Sequence, residues 1–317
     1  MELKKPRILI VGDFMIDQYF FGNANRISPE APTPIVDVDK VEQRLGGAAN
    51  VSNNIAKMGA VAIVCGVIGD DEYGKYMIKE FKKIKANAVT IVKEVKRPTT
   101  VKNRVIVGHH NLLRYDIEDS SQIKSETTKT LIGKIKKIID KVDGIIISDY
   151  DKGVVSTTLI KFLREISIKK EIPLMVDPKK QNHKENFGEH AIIKTNLKNA
   201  MISVQKQNES KITKEEVIKR LCKINGTKKI ILTLGSKGMI CYIDGKFTKM
   251  ENKEKSVFDV TGAGDVVLSA FAISYLSKFD FVASCKIANS AAALKVSKVG
   301  TYALNRKEIM EIMKNER

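Results

Sequence analysis

The feature that most restricts this chain is the regular alternation of short apolar runs with amphipathic helical stretches. Ile8-Leu9-Ile10-Val11, Ala62-Ile63-Val64, Ile145-Ile146-Ile147, Leu174-Met175-Val176, Ala191-Ile192-Ile193 and Ile230-Ile231-Leu232 read as core strands. Between them Leu131, Ile135, Ile138, Ile139 and Val142 mark one face of a helix. Thr213 with Glu216 has the spacing of a capping box ahead of Val217, Ile218 and Leu221. An alanine-rich helix is expected from Phe281 to Val296. This rhythm predicts an α/β fold in three layers, with a mostly parallel sheet covered on both faces.

Two segments interrupt the rhythm. Residues 17–45 contain three of the seven prolines, in Ser28-Pro29-Glu30-Ala31-Pro32-Thr33-Pro34, followed by an exposed strand over Ile35–Val41. Residues 99–118 alternate through Val101, Asn103, Val105 and Val107 before a turn at Gly108-His109-His110-Asn111. Both read as antiparallel strands of a small β-lid built from insertions. The 317 residues show no repeat, low-complexity tract or linker, so a single domain over residues 1–317 is expected.

Composition removes several classes of function. Apolar residues at 43% and charged residues at 29% suit a buried core rather than a disordered chain. No apolar run approaches the ~18–20 residues that cross a bilayer, and the N-terminus lacks a secretory signal. A cytoplasmic protein without a membrane partner is therefore expected. Cys65, Cys222, Cys241 and Cys285 are too dispersed for a zinc site, and adjacent His109 and His110 would point to opposite faces of a strand. The 55 Lys and Arg against 37 Asp and Glu leave a net charge of +18. The lysines are scattered in pairs and no aromatics interleave with them, so no nucleic-acid partner is expected.

Three stretches carry chemistry. In Asp259-Val260-Thr261-Gly262-Ala263-Gly264-Asp265, small residues run into the helical stretch Val266–Phe271. Backbone N–H groups of Gly262, Ala263 and Gly264 at a helix start suit a transferring phosphate. A carboxylate there repels the phosphate, so Asp265 makes sense as the base that deprotonates an attacking hydroxyl. Gly46-Gly47 leads into Ala48-Ala49-Asn50, where Asn50 is placed to bond a polyol. Gly12-Asp13-Phe14-Met15-Ile16-Asp17 follows the first strand, and Asp13 and Asp17 could grip sugar hydroxyls there. A glycine turn or a helix cap would account for each stretch taken alone.

Taken in order, the three stretches resemble the ribokinase-like (PfkB) carbohydrate kinases over about residues 8–302. Leu232-Thr233-Leu234-Gly235-Ser236-Lys237-Gly238 resembles the family's nucleotide loop, and Ala288–Ala293, with Asn289, the helix beside its adenine site. Within the family, Arg26–Pro34, Ser148-Asp149-Tyr150-Asp151-Lys152-Gly153, Asp177-Pro178-Lys179, and Lys102 with Arg104 resemble the D-glycero-β-D-manno-heptose-7-phosphate kinases. Arg114 and Asp116 match that group as well, although a structural ion pair would explain them equally.

The resemblance implies ATP-dependent phosphorylation of O1 of heptose 7-phosphate with Mg²⁺, in ADP-heptose biosynthesis. It also implies a homodimer formed through the lid and a separate adenylyltransferase acting downstream. Lys102, Arg104, Lys152 and Lys179 are the candidate cations for the sugar's phosphate, opposite the reaction centre. Thr233, Gly235, Gly238, Asn196, Asn199 and Asn289 are the candidate nucleotide residues.

The sequence also departs from the family. Its Asn-x-x-Glu motif reads Asn196-Leu197-Lys198-Asn199, Thr195 replaces the preceding proline, and Val266 stands where a hydroxyl residue is frequent. Asn199 binds a hydrated Mg²⁺ less strongly than a glutamate, which leaves Asp177 or the ATP phosphates to carry the ion. The chain stops soon after Gly300-Thr301, without the nucleotidyltransferase motif of bifunctional relatives. Adenylylation is then expected from another protein, or this chain is the kinase part of a longer one. A kinase for another sugar and a catalytically weakened regulatory homologue stay open.

Overall fold

A computed structural model describes residues 5–108, 110–179, 184–204, 212–252, 260–298 and 302–316. Its strands are β1 (Arg7–Gly12), β2 (Phe14–Ile27), β3 (Pro34–Gly47), β4 (Val61–Cys65), β5 (Val67–Ile68), β6 (Val92–Lys93) and β7 (Thr100–Val107). They continue with β8 (His110–Ile117), β9 (Gly144–Ser148), β10 (Leu174–Asp177), β11 (Ile192–Asn196), β12 (Lys229–Thr233), β13 (Met239–Ile243) and β14 (Lys246–Met250). The helices are α1 (Ala48–Lys57), α2 (Glu72–Lys83), α3 (Ser125–Lys136), α4 (Thr157–Lys169) and α5 (Leu197–Val204). After them come α6 (Lys214–Asn225), α7 (Ala263–Leu276), α8 (Phe281–Val296) and α9 (Arg306–Asn315).

The main sheet has the order β14-β13-β12-β11-β10-β9-β1-β4. It is parallel from β12 to β4, and an antiparallel hairpin of β13 and β14 finishes one edge. Strand alternation sends each apolar run into two cores. Ile8 and Ile10 pack with Ala48, Phe271 and Ile287 of α1, α7 and α8, while Leu9 and Val11 pack with Leu131, Leu163 and Leu221 of α3, α4 and α6. Full burial of each such side chain is worth roughly 1.5–3 kcal/mol. The sheet is thus a middle layer between two helical ones, as the runs imply.

Every residue of α7 from Asp265 to Ser274 is buried, so this helix is apolar on all sides. That places Asp265 beneath other elements, while Gly262, Ala263 and Gly264 just ahead of it are half-buried. The capping signature holds in part, with Thr213 Oγ1 accepting from Glu216 N at 3.2 Å. The helix expected through Val142 ends at Lys136, and a 3₁₀ turn over Ile139–Lys141 delivers Ile139 and Val142 to the core instead.

The lid differs from expectation in two respects. Its order is β3-β2-β7-β8, and β2 pairs with β7 in parallel, flanked by antiparallel pairs. Strand β2 begins at Phe14, one residue beyond β1, so the lid grows directly out of the strand next to the β4 edge of the sheet. Strand β3 then runs back to Gly47 and feeds straight into α1. His110 and Asn111, expected in the turn, are already part of β8.

Candidate active site

The carboxyl ends of the parallel strands carry the polar residues. Register places Gly12 beside Ser148 and Ser148 beside Asp177, so the segments after β1, β9 and β10 meet at one edge. Asp13 is buried there and takes up backbone donors. Its Oδ2 accepts from the N–H groups of Tyr150 at 2.7 Å and Lys152 at 3.2 Å, and Oδ1 from Val154 N–H at 3.1 Å. Burial and the neighbouring Asp149 carboxylate push Asp13 up to about 7, against the pull of these three donors. Asp13 is therefore the peg on which the loop after β9 is hung. Asp149 pins the adjoining loop, with Oδ1 accepting from Asp151 N–H at 2.9 Å and Oδ2 from Lys179 N–H at 3.1 Å.

Asp265 lies in the first turn of α7 and is 6% exposed. Asn50 Nδ2 donates to its Oδ2 at 2.6 Å, and the Tyr150 hydroxyl donates to its Oδ1 at 2.8 Å. Asn50 thus bonds the carboxylate expected to act as the base. Gly262, at the N-cap of α7, has φ of 74°, a left-handed conformation that glycine adopts without strain. A Cβ there would lie 2.9 Å from Asn50 Nδ2. Of the three amides expected to face an anion, that of Ala263 is bonded to the Val260 carbonyl at 3.1 Å. Asp259, at the start of this stretch, lies outside the described residues.

Burial raises the Asp265 pKa, while Lys194, Asn50 and Tyr150 oppose the shift. Desolvation and Asp265 itself hold the Tyr150 phenol far above its usual range, so the phenol stays the donor. Tyr150→Phe removes a hydrogen bond that favours the ionised carboxylate. A base must be ionised to act, so the acidic limb of the kcat/KM profile is expected to move to higher pH. An unmoved limb would show that this bond does not tune Asp265.

Lys194 is a residue the sequence reading passed over. Its ammonium sits 2.8 Å from Asp177 Oδ2, with both side chains at most 5% exposed. A Cβ on Gly264 would lie 2.8 Å from Lys194 Nζ, so this cation lies directly beneath the glycine loop. A lysine following Ile192-Ile193 in a core strand was the available signal, because an unpaired charge is not tolerated there.

The four cations assigned to a sugar phosphate are not one cluster. Lys102 Nζ contacts Asp116 at 2.8 Å and Glu118 at 2.6 Å, and Lys152 Nζ contacts Glu118 at 2.7 Å. Arg104 is paired with Asp17 at 2.6 Å. Asp17 is flanked by Gly46, where a Cβ would come within 2.4 Å of Asp17 Oδ2, and Gly47 next to it enters α1 with φ of 56°. Lys179 stands apart from these pairs: its Nζ lies 5.1 Å from the centre of the Tyr150 ring, whose hydroxyl bonds Asp265.

On the nucleotide side, Asn196 Oδ1 accepts from Asn199 N–H at 2.8 Å and so caps α5, and Thr233 Oγ1 donates to the Thr195 carbonyl at 3.3 Å. Gly235 and Gly238 both have positive φ in the turn between β12 and β13. A cavity of about 370 Å³ is lined by Leu234, Ser236, Lys237 and Met250. A second, of about 360 Å³, is lined by Lys286, Asn289 and Ala293 of α8 and shares residues 249–252 with the first. Asn289 Nδ2 donates to the Glu251 carbonyl at 3.2 Å. These surfaces suit an apolar ring bounded by polar groups. Asn196, Asn199 and Thr233 line neither cavity.

The residues present do not fit a metal held by the protein alone. Asp177, the candidate ligand, is neutralised by Lys194, and position 199 is an amide. Among the described residues no group of three or more His, Cys, Asp or Glu could hold an ion. They do fit a Mg²⁺ carried by nucleotide phosphates and water, which needs few protein ligands. Among the described residues no helix is long and apolar enough to cross a membrane.

Known proteins bear on this geometry. Residues 5–308 match the pattern of the "pfkB family carbohydrate kinase". The chain is 34% identical over 314 residues to the bifunctional protein HldE of Helicobacter hepaticus, spanning 98% of this chain and 64% of that one. It is 36% identical over 306 residues to the protein of the same name from Sulfurimonas denitrificans, spanning 96% of this chain and again 64% of the relative. The chain therefore spans a little under two thirds of these relatives. In fold it is similar to Arabidopsis thaliana ribokinase complexed with ribose and ATP, with a TM-score of 0.74 and 16% identity over 98% of this chain and 99% of that one. Escherichia coli phosphofructokinase-2 in complex with potassium is similar too, at a TM-score of 0.77 and 15% identity over 99% of both chains.

Proposed function

The chain belongs to the pfkB family of carbohydrate kinases, and we propose that within it the chain phosphorylates O1 of D-glycero-D-manno-heptose 7-phosphate, using ATP, to give the 1,7-bisphosphate. As a sugar kinase it is a phosphotransferase with an alcohol group as acceptor. The observation that carries the catalytic part is the Asp265 carboxylate, buried at the start of α7 and oriented by Asn50 and Tyr150. Asp265 takes the proton of the anomeric hydroxyl as that oxygen attacks the γ-phosphorus in line. Amides of Gly262 and Gly264 at the helix start, with Lys194 beneath them, favour the charge spread over the transferring group. Mg²⁺, when carried in on the nucleotide, neutralises charge on the phosphates. Asp17 accepts sugar hydroxyls, and the turn 234–238 with α8 receives the nucleotide.

The heptose phosphate is supported by the Arg26–Pro34 lid segment and by the relatives named HldE. The reading places the enzyme in the cytoplasm, in ADP-heptose supply, with an adenylylation step downstream. It also pairs two copies through the lid, whose outer strand leaves Leu113, Tyr115 and Ile117 exposed on one face.

The deciding experiment is ADP release with Mg-ATP and heptose 7-phosphate, alongside ribose, fructose 6-phosphate and the unphosphorylated heptose. Turnover confined to the heptose phosphate is expected. Turnover on another sugar would keep the kinase and discard the substrate. Silence on all of them, with ATP still bound, would favour a weakened homologue, which Asn199 in place of the family's glutamate also suggests.

A further inference from the structure

Where the lid meets the core, two lysines share one carboxylate. Lys102 Nζ, on β7, lies 2.6 Å from Glu118 Oε2, and Lys152 Nζ, on the loop after β9, lies 2.7 Å from Glu118 Oε1. The Ser120 hydroxyl is 3.2 Å from Lys152 Nζ and 3.4 Å from Glu118 Oε1. The two lysine side chains are only 11% and 17% exposed. Asp116 also contacts Lys102, but it is held as well by two bonds from Arg114, at 3.0 and 2.8 Å. Burial resists the Glu118 charge, yet the two lysines together bring its pKa below the ordinary value. Two ammonium groups and a hydroxyl converging on a pair of oxygens is the arrangement that binds a phosphate monoester. Here the oxygens belong to the chain itself.

We propose that Glu118 is a specificity-determining residue, an internal anion that occupies the Lys102–Lys152 pair until a phosphate on the substrate displaces it. A neutral sugar has nothing to exchange for the lost ion pairs, whereas a dianion replaces one carboxylate charge with nearly two. Glu118 lies just past the last β7–β8 pair, Val101 with Ile117, so it can withdraw without breaking a strand ladder. Lys152 is two residues from Tyr150, and both N–H groups are pegged by Asp13. One loop therefore presents the anion site and, through Tyr150, the Asp265 end of the substrate. The inference rests on the proposed use of a phosphorylated sugar, and its test is independent of which sugar that is.

The probe is inorganic phosphate, titrated calorimetrically into the full chain without sugar or nucleotide. Glu118→Gln keeps the shape and removes the charge, and it is expected to tighten phosphate binding about tenfold, roughly 1.4 kcal/mol. Adding Lys152→Met to that variant should erase the gain. Phosphate binding unchanged by Glu118→Gln would overturn the inference, even in an enzyme that turns over heptose 7-phosphate. A gain that survives Lys152→Met would overturn it too, because the phosphate would then sit elsewhere. Should Glu118→Gln fail to fold, Glu118→Asp withdraws the carboxylate from the lysines and is expected to give a smaller gain of the same sign. Tighter phosphate binding without turnover of heptose 7-phosphate would leave the inference standing and reject only the proposed sugar.

Discussion

Asp265→Asn is expected to lower kcat by about 10²–10⁴-fold, the range of a lost general base, with ATP affinity changed by no more than about threefold. The carboxylate is buried and held by two donors, so its loss removes the proton acceptor without opening the helix start. The amide of the variant has one acceptor to offer two donors, Asn50 and Tyr150. Asp265→Ala is the control that separates this mismatch from lost basicity, and it should lose at least as much rate.

A second readout has a sign that a merely structural role would not give. Burial raises the Asp265 pKa above its ordinary value of 3.8, so ionisation opposes folding. Any stability this group contributes is fully present below the unfolded-state pKa and is lost as pH rises through the raised folded-state value. At pH 8 the wild type carries that penalty and Asp265→Asn does not. The variant should therefore melt no lower than the wild type at pH 8, and the difference should shrink toward pH 4. An inactive variant that is as stable as its parent or more so would fit a base kept for chemistry. Activity within tenfold of the wild type would reject Asp265 as the base.

The layers were legible in the sequence because each core strand is apolar on both faces, and a parallel sheet under two helical layers is what such runs demand. Strand β2 was hidden because Phe14–Ile27 contains both apolar runs and polar residues, and its partner β7 lies about 85 residues further along the chain. No local pattern reports that a distant pairing is parallel. At the site, Gly262, Gly264 and Asp265 stand out because they fall in one contiguous small-residue stretch at a helix start, a stretch that gains its meaning only in order with the two others. The partners of Asp265 could not be read, since a tyrosine in a loop and a lysine ending a strand acquire meaning only through contacts more than 65 residues away. The same holds for the lid lysines. Their residue type suggested phosphate, but only the fold shows that Glu118 already sits between them.

Asp13→Ala is expected to destabilise the protein by about 2–5 kcal/mol, because it strips the acceptor from three N–H groups, each costing ~1–3 kcal/mol if left buried and unpaired. Two effects hold the total below the sum. The loop at 150–154 can turn partly toward water, and removing Asp13 relieves its repulsion with Asp149. For a chain of this size the loss corresponds to a fall in Tm of roughly 3–8 °C. Asp13→Asn keeps one oxygen as an acceptor and should lose less. Activity should fall with stability, since Tyr150 is set against Asp265 by the same loop. Asp17→Asn is the contrasting variant. Asp17 bonds Arg104 at 2.6 Å and no backbone donor of that loop, so Tm should move by less than about 1 kcal/mol equivalent while the sugar KM rises. Thermal denaturation and saturation kinetics on both variants separate the two carboxylates. A normal Tm with a raised KM in Asp13→Ala would return Asp13 to the role of sugar ligand. A lowered Tm confined to Asp13→Ala, with the raised KM confined to Asp17→Asn, would establish that the first acidic residue after β1 holds the loop and the second meets the substrate.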